Sequence, residues 1–341
     1  MKKIKLIILI IIFLFFFELY LKKNKPATNL YVSELGWTVK KNFKFNYKES
    51  DFYGNDYYSL YETNNIGARS FLQKSSSNKS NQPIKILVVG DSFTMDPYVG
   101  NNEMWFSFFA NKISKNLDRD TEVLAFGGGG YGSLQQLLVL QRNKQAIDNF
   151  SPNIFILQFC SNDFNNNSLS IEKASFDFSQ YMRRPYLVND KIYYYDGLFS
   201  YFFQKNILTR DSRVFAKAIF LYEFLVKKYY PSNKNLIDNN LINEAEIITQ
   251  KLLTKIRSIY PNTESYIFSC SNIQSEINKN WKELAKKSKF IVLEESSDFI
   301  SKASSANKKI FYNDGSHLNI LGNLYLGELI YEEIIKSKFK F

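Results

Sequence analysis

Ser92 and His317 are the side chains of this 341-residue chain that could together perform acyl transfer. His317 is its only histidine and sits in Asp314-Gly315-Ser316-His317. A serine hydroxyl is a weak nucleophile until a neighbouring base takes its proton, and a neutral imidazole does this at neutral pH. Asp314, three residues earlier, can reach the far ring nitrogen, fix the tautomer and stabilise the imidazolium. Charge developing on the carbonyl oxygen needs donors already in place. Gly130, in the run GGGGYG, lets a backbone N–H approach closely. Asn162 can supply a side-chain N–H, and the Ser92 backbone N–H would be a third donor. Singly, each group also reads as a turn or a helix cap. Jointly they need a scaffold that gathers four loops.

That scaffold is legible around Ser92. Ile84 to Val89 is an apolar run closed by Gly90, the pattern of a buried strand in a parallel sheet. Reactive groups in such sheets lie just beyond the carboxyl ends of the strands. Further strands are expected at Thr121 to Phe126, Asn153 to Phe159, Glu264 to Ser269 and Phe290 to Leu293. Helices are expected around Glu103 to Leu117, from Ser133 to about Phe150, and at Leu241 to Tyr260, Glu276 to Lys287 and Leu318 to Lys336. Strands alternating with helices predict an α/β fold of three layers, α/β/α, with a mainly parallel sheet covered on both faces. Ser92, Gly130 and Asn162 all follow such strands, so the fold should place them on one edge.

Three regions lie outside this rhythm. Met1 to Lys5 is basic and Leu6 to Leu21 is apolar apart from Glu18, with no small-residue cleavage site after it, so residues 1–25 read as an uncleaved single membrane anchor. A very short basic head before an apolar core is the export arrangement, and the rest of the chain is expected outside the cytoplasm. Residues 26–82 alternate polar and aromatic residues and read as short strands packed on the main domain, with Asn65 to Arg69 as a turn and Ser75 to Gln82 as a surface loop. Within the main domain, 83–341, residues 165–238 are rich in Tyr, Phe and Arg and read as an insertion over the mouth of the site.

Composition narrows the function classes. An apolar share of 45% with 23% charge is that of a folded protein. The formal net charge of +11 invites a nucleic-acid partner. Yet the lysines are scattered and no nucleic-acid motif occurs, so a basic solvated surface, or attraction to anionic lipid or acidic glycans, is the reading. The two cysteines, Cys160 and Cys270, carry no metal spacing. They end neighbouring expected strands, which would permit a disulfide in an oxidising compartment, but two free thiols are expected. No metal-binding cluster or phosphate loop is present, and GGGGYG lacks a dinucleotide register; neither metal nor cofactor is expected.

The segments IKILVVGDSF, AFGGGGYGSLQQ, FILQFCSNDF and NDGSHLN resemble the four sequence blocks of the SGNH (GDSL-type) hydrolases, and LGWTVKKNF with NNIGARS resembles the leader of envelope-associated members. The resemblance implies a flavodoxin-like sheet. It makes Ser92 the nucleophile, Gly130 and Asn162 oxyanion donors, and Asp314 and His317 the remaining triad members. Cys160 stands where the family usually has glycine. The function implied is a membrane-anchored esterase removing O-acyl groups, acetyl foremost, from a cell-envelope or exported polysaccharide. An O-acetyltransferase using the same triad is the alternative, and a glycan-binding protein that has lost turnover is another.

Overall fold

The computed structural model describes residues 2–50, 56–76, 82–160, 162–175, 182–204, 209, 212–229, 237–270, 280–306, 308–312 and 317–337. Helix α1 (Lys2–Asn24) carries the apolar run. Within its segment Ile4–Asn24 an 18-residue window has a mean hydropathy of 2.7 and is almost wholly uncovered by the rest of the protein. At 1.5 Å per residue the segment is roughly 32 Å, long enough to cross a bilayer core.

The extension that follows forms two antiparallel hairpins, β1 (Asn29–Val32) with β2 (Gly36–Val39) and β3 (Lys44–Ser50) with β4 (Asp56–Glu62). The turn expected at 65–69 is built by Asn64, whose Oδ1 accepts from the Ile66 and Ala68 N–H groups at 3.1 and 3.0 Å. The chain then departs from expectation. Arg69–Gln73 is a strand, β5, paired antiparallel with a strand of the main sheet.

Strand β6 (Ile84–Val89) enters the centre of that sheet. After it come the single-turn α2 (Ser92–Met95), α3 (Trp105–Leu117) and β7 (Thr121–Phe126). The helix expected from Ser133 to Phe150 breaks at Asn143 into α4 (Ser133–Arg142) and α5 (Lys144–Phe150). Then follow β8 (Ile154–Phe159), α6 (Asn162–Asn167) and α7 (Leu169–Ser175). The rest of the segment expected to be an insertion forms the hairpin β9 (Arg184–Val188) and β10 (Lys191–Tyr195), α8 (Ser200–Gln204) and α9 (Arg213–Tyr229). The chain closes with α10 (Asn239–Ile259), β11 (Glu264–Ser269), α11 (Trp281–Lys287), β12 (Ile291–Val292), α12 (Glu294–Ala306) and α13 (Ile320–Lys336). Helix α12 was not expected. The first residues of the helix expected at Glu276 lie outside the described residues.

The sheet order is β12-β11-β8-β6-β7-β5, parallel except for β5. Alternate residues of each strand feed two cores, because side chains point to opposite faces with period two. Leu87, Val89, Phe155 and Leu157 pack with α4, α5, α10 and α11. Ile86, Val88, Ile154 and Ile156 pack with α3, α12 and α13. This is the expected three-layer α/β/α arrangement, and it brings the carboxyl ends of β6, β7 and β8 side by side.

Candidate active site

Ser92 opens α2, immediately beyond β6. Asp91 caps this turn, its Oδ1 accepting from the Phe93 N–H at 3.0 Å. The turn is pressed against the glycine run: a Cβ on Gly127 would lie 2.5 Å from Met95 N and 2.8 Å from Asp91 O. Only a hydrogen fits there, which explains why the loop after β7 begins with glycine.

His317 arrives from the other end of the chain. Its backbone is tied by Tyr312 N–H donating to His317 O at 2.9 Å, and a bridge joins Phe311 to Leu318. The imidazole Nε2 lies 3.0 Å from Ser92 Oγ, across 225 residues of sequence. The Phe93 ring packs on the imidazole with centroids 5.0 Å apart. Both side chains border a cleft of about 260 Å³, shared with Tyr98, Lys25 and Arg213. Asp314 falls in 313–316, outside the described residues.

Gly130 and Asn162 meet at the same edge. Gly130 has φ +68°, a conformation that favours glycine. Its carbonyl accepts from Asn166 Nδ2 at 3.0 Å, and the Gly129 carbonyl accepts from Trp37 Nε1 at 2.9 Å. Both carbonyls of this peptide pair are thus turned into the protein. Asn162 Nδ2 donates a long bond, 3.3 Å, to Tyr131 O. The structure therefore brings Ser92 and His317 into contact and sets Gly130 and Asn162 on neighbouring loops at the same edge of the sheet.

Sequence reasoning missed the groups that hold these four. Trp37 of β2 grips the glycine loop, and Tyr131 Oη returns a bond to Trp37 O at 2.8 Å. Arg69 is fully buried and donates to Asn101 Oδ1 and to the carbonyls of Met95, Asp96 and Val99, at 2.5–2.9 Å, fixing the segment that follows Ser92. Gln158 on β8 donates to Asp91 Oδ1 at 3.0 Å and accepts from Thr94 Oγ1. Asp163 accepts from Cys160 N–H at 2.7 Å and Ser133 Oγ at 2.9 Å, joining the loops after β7 and β8. The available signal was the polar residue inside an apolar strand: a glutamine in FILQF needs a buried partner.

The cysteines correct an expectation. Cys160 and Cys270 are joined in a disulfide, with Cα atoms 5.1 Å apart, stapling the ends of β8 and β11 beside the site. Their parallel strands pair in register up to Phe159 and Ser269, which sets the next residues side by side. Ligand atoms of Asp91, Cys160 and Cys270 lie within 4.8 Å of one another. Bonded sulfurs supply no thiolate, so the cluster is not a metal set in this state.

Burial raises the Asp91 carboxyl to about 6, and burial together with the Asp91 charge raises Asp163 well above the ordinary carboxylate value. For an acid whose pKa is higher folded than unfolded, the stabilisation is complete below the unfolded value and lost as pH rises through the folded one. The protein is therefore expected to gain stability on acidification from pH 7 to pH 5, by about 1 kcal/mol from Asp91. Thermal melts at the two pH values check this. Asp91→Asn should flatten the dependence, and an equal slope in the variant would refute the assignment.

Residues 86–186 match the family model of the GDSL-like lipase/acylhydrolases. That span runs from β6 into β9 and includes Ser92, Gly130 and Asn162. Among solved structures, a lipase from a goat rumen metagenome is 15% identical, with a TM-score of 0.41 over 73% of this chain and 97% of its own. A lipase/acylhydrolase from Enterococcus faecalis is 16% identical, with a TM-score of 0.38 over 75% and 97%. A lipolytic protein of the G-D-S-L family from Veillonella parvula is 12% identical, with a TM-score of 0.40 over 74% and 97%. No curated protein matches the chain.

Proposed function

Since the chain is a serine ester hydrolase of the SGNH/GDSL type, we propose that it is anchored by α1 and removes O-acetyl groups from a cell-envelope or exported polysaccharide outside the cytoplasm. One observation carries the catalytic reading: Ser92 Oγ and His317 Nε2 stand 3.0 Å apart at the wall of an open cleft.

In this reading His317 Nε2 takes the Ser92 proton as Oγ attacks the ester carbonyl. Asp314 holds the other ring nitrogen and stabilises the imidazolium. The oxyanion is received by the N–H groups of Ser92 and Gly130 and by Asn162 Nδ2, whose long bond to Tyr131 O is the one it displaces. Collapse breaks the ester C–O bond, and His317 passes its proton to the departing sugar oxygen. Water then attacks the acyl-enzyme with His317 again as base, releasing acetate and restoring Ser92. The polysaccharide is supported by the anchor and the open cleft. Both allow a large polar substrate beside a membrane.

The test uses the purified full chain in detergent. A fluorophosphonate probe should label Ser92, and acetate should be released from an O-acetylated polysaccharide at a rate indifferent to added acceptor glycan. Acetyl appearing on the acceptor faster than free acetate would assign a transferase. No labelling of folded protein would remove the catalytic reading altogether.

A further inference from the structure

Helix α9 of the insertion has an inward and an outward stripe. Phe215 and Ile219 face the core, and Phe199 packs on Phe215 and Tyr222. With 3.6 residues per turn, Lys217, Leu221, Phe224, Leu225 and Lys228 fall on the opposite side. Leu221 and Phe224 are each 58% exposed and Leu225 41%, while Lys217 and Lys228 are exposed at the two ends of this apolar strip. A helix in contact with water alone would carry polar residues there. Basic residues flanking a large apolar face are the pattern of a helix lying in a membrane interface.

The position of α9 supplies the occupant. Glu18 is the only acidic residue of the apolar run of α1. It accepts from the backbone N–H groups of Arg213 and Val214 at 2.9 and 2.8 Å and from Ser212 Oγ at 3.1 Å. The carboxylate thereby caps the N-terminus of α9, where the helix dipole favours negative charge. Glu18 lies six residues before the last residue of α1, Asn24, or about 9 Å along the axis. Interfacial helices seat about 5–10 Å into the boundary of headgroups and acyl chains. We infer that the stripe Leu221-Phe224-Leu225 rests in the outer interface of an anionic bilayer next to the anchor, as a second membrane contact. The lysines then meet lipid phosphates, in keeping with the +11 net charge. Arg213 at the base of α9 and Lys25 just beyond α1 both line the cleft of Ser92 and His317. The contact therefore holds the cleft mouth at the lipid surface. This inference rests on the anchor assigned to α1 above.

The experiment places single added tryptophans in the full chain, reconstituted into vesicles of phosphatidylcholine and phosphatidylglycerol with or without bromine-labelled acyl chains. The native Trp37, Trp105 and Trp281 are buried and give a constant background. Phe224→Trp and, independently, Leu225→Trp should each lose about half or more of the added emission to bromolipid, as an interfacial depth requires. Phe13→Trp in the anchor should be quenched as well, and Tyr193→Trp on the β9–β10 hairpin should not. Quenching at Phe13 without quenching at either α9 position overturns the second contact and leaves the anchor standing. No quenching at Phe13 overturns both. Unquenched α9 tryptophans together with a dimer that Leu221→Glu dissolves would assign the stripe to a second copy of the chain instead.

Discussion

Ser92→Ala is expected to lower kcat for p-nitrophenyl acetate by about 10⁴-fold or more, with residual turnover coming from the oxyanion donors and binding alone. His317→Asn should cost about as much, and the double variant little more, because a nucleophile and its base act as one unit. The Ser92 hydroxyl meets the imidazole at 3.0 Å, and its removal leaves a methyl group at an open cleft wall. Folding should therefore change by no more than about 0.5 kcal/mol. Steady-state kinetics beside a thermal melt separate the two effects. A variant that retains its turnover while folded would show that the ester is cleaved elsewhere.

Arg69→Met is expected to destabilise the protein by about 3–5 kcal/mol, the range for removing one partner of a buried, charged hydrogen-bond network. The guanidinium serves Asn101 and three backbone carbonyls at once. It also lies over the Tyr61 ring, 4.8 Å from its centroid. Burial lowers it to about 10, so it is charged throughout the neutral range. Without it, the Met95, Asp96 and Val99 carbonyls lose their donors, and the segment after Ser92 is free to shift. A displacement of about 1 Å there should reduce kcat/KM roughly 10²-fold. Arg69→Lys keeps the charge but not the fork and should recover only part of both losses. Urea unfolding with ester kinetics reads both quantities; an unchanged midpoint for Arg69→Met would mean that the loop is held by other contacts.

The legible part of this protein is periodic or local. Apolar runs such as IKILVV and FILQF announce buried strands because two covered faces leave no place for alternating polarity. Parallel strands oblige their carboxyl ends to share an edge, so the sequence alone groups Ser92, Gly130 and Asn162. The lone histidine was legible as the candidate base by its chemistry. The glutamine of FILQF, by contrast, gave no indication that it would hold Asp91 and Thr94. Nor did LGW indicate that Trp37 would grip the Gly129 carbonyl, because those two residues are separated by 92 positions of chain.

By its own chemistry, then, the sequence determined the layers, the edge on which the loops gather, and the residue types able to move an acyl group. Tertiary structure alone decided that Arg69 begins an edge strand of the main sheet and that the two thiols pair. It also decided that Glu18 leaves its apolar surroundings to cap a helix nearly two hundred residues away. The reason is physical. Periodicity and turn chemistry act between near neighbours, whereas the partner of a buried charge or thiol is whatever group the packed chain brings within reach.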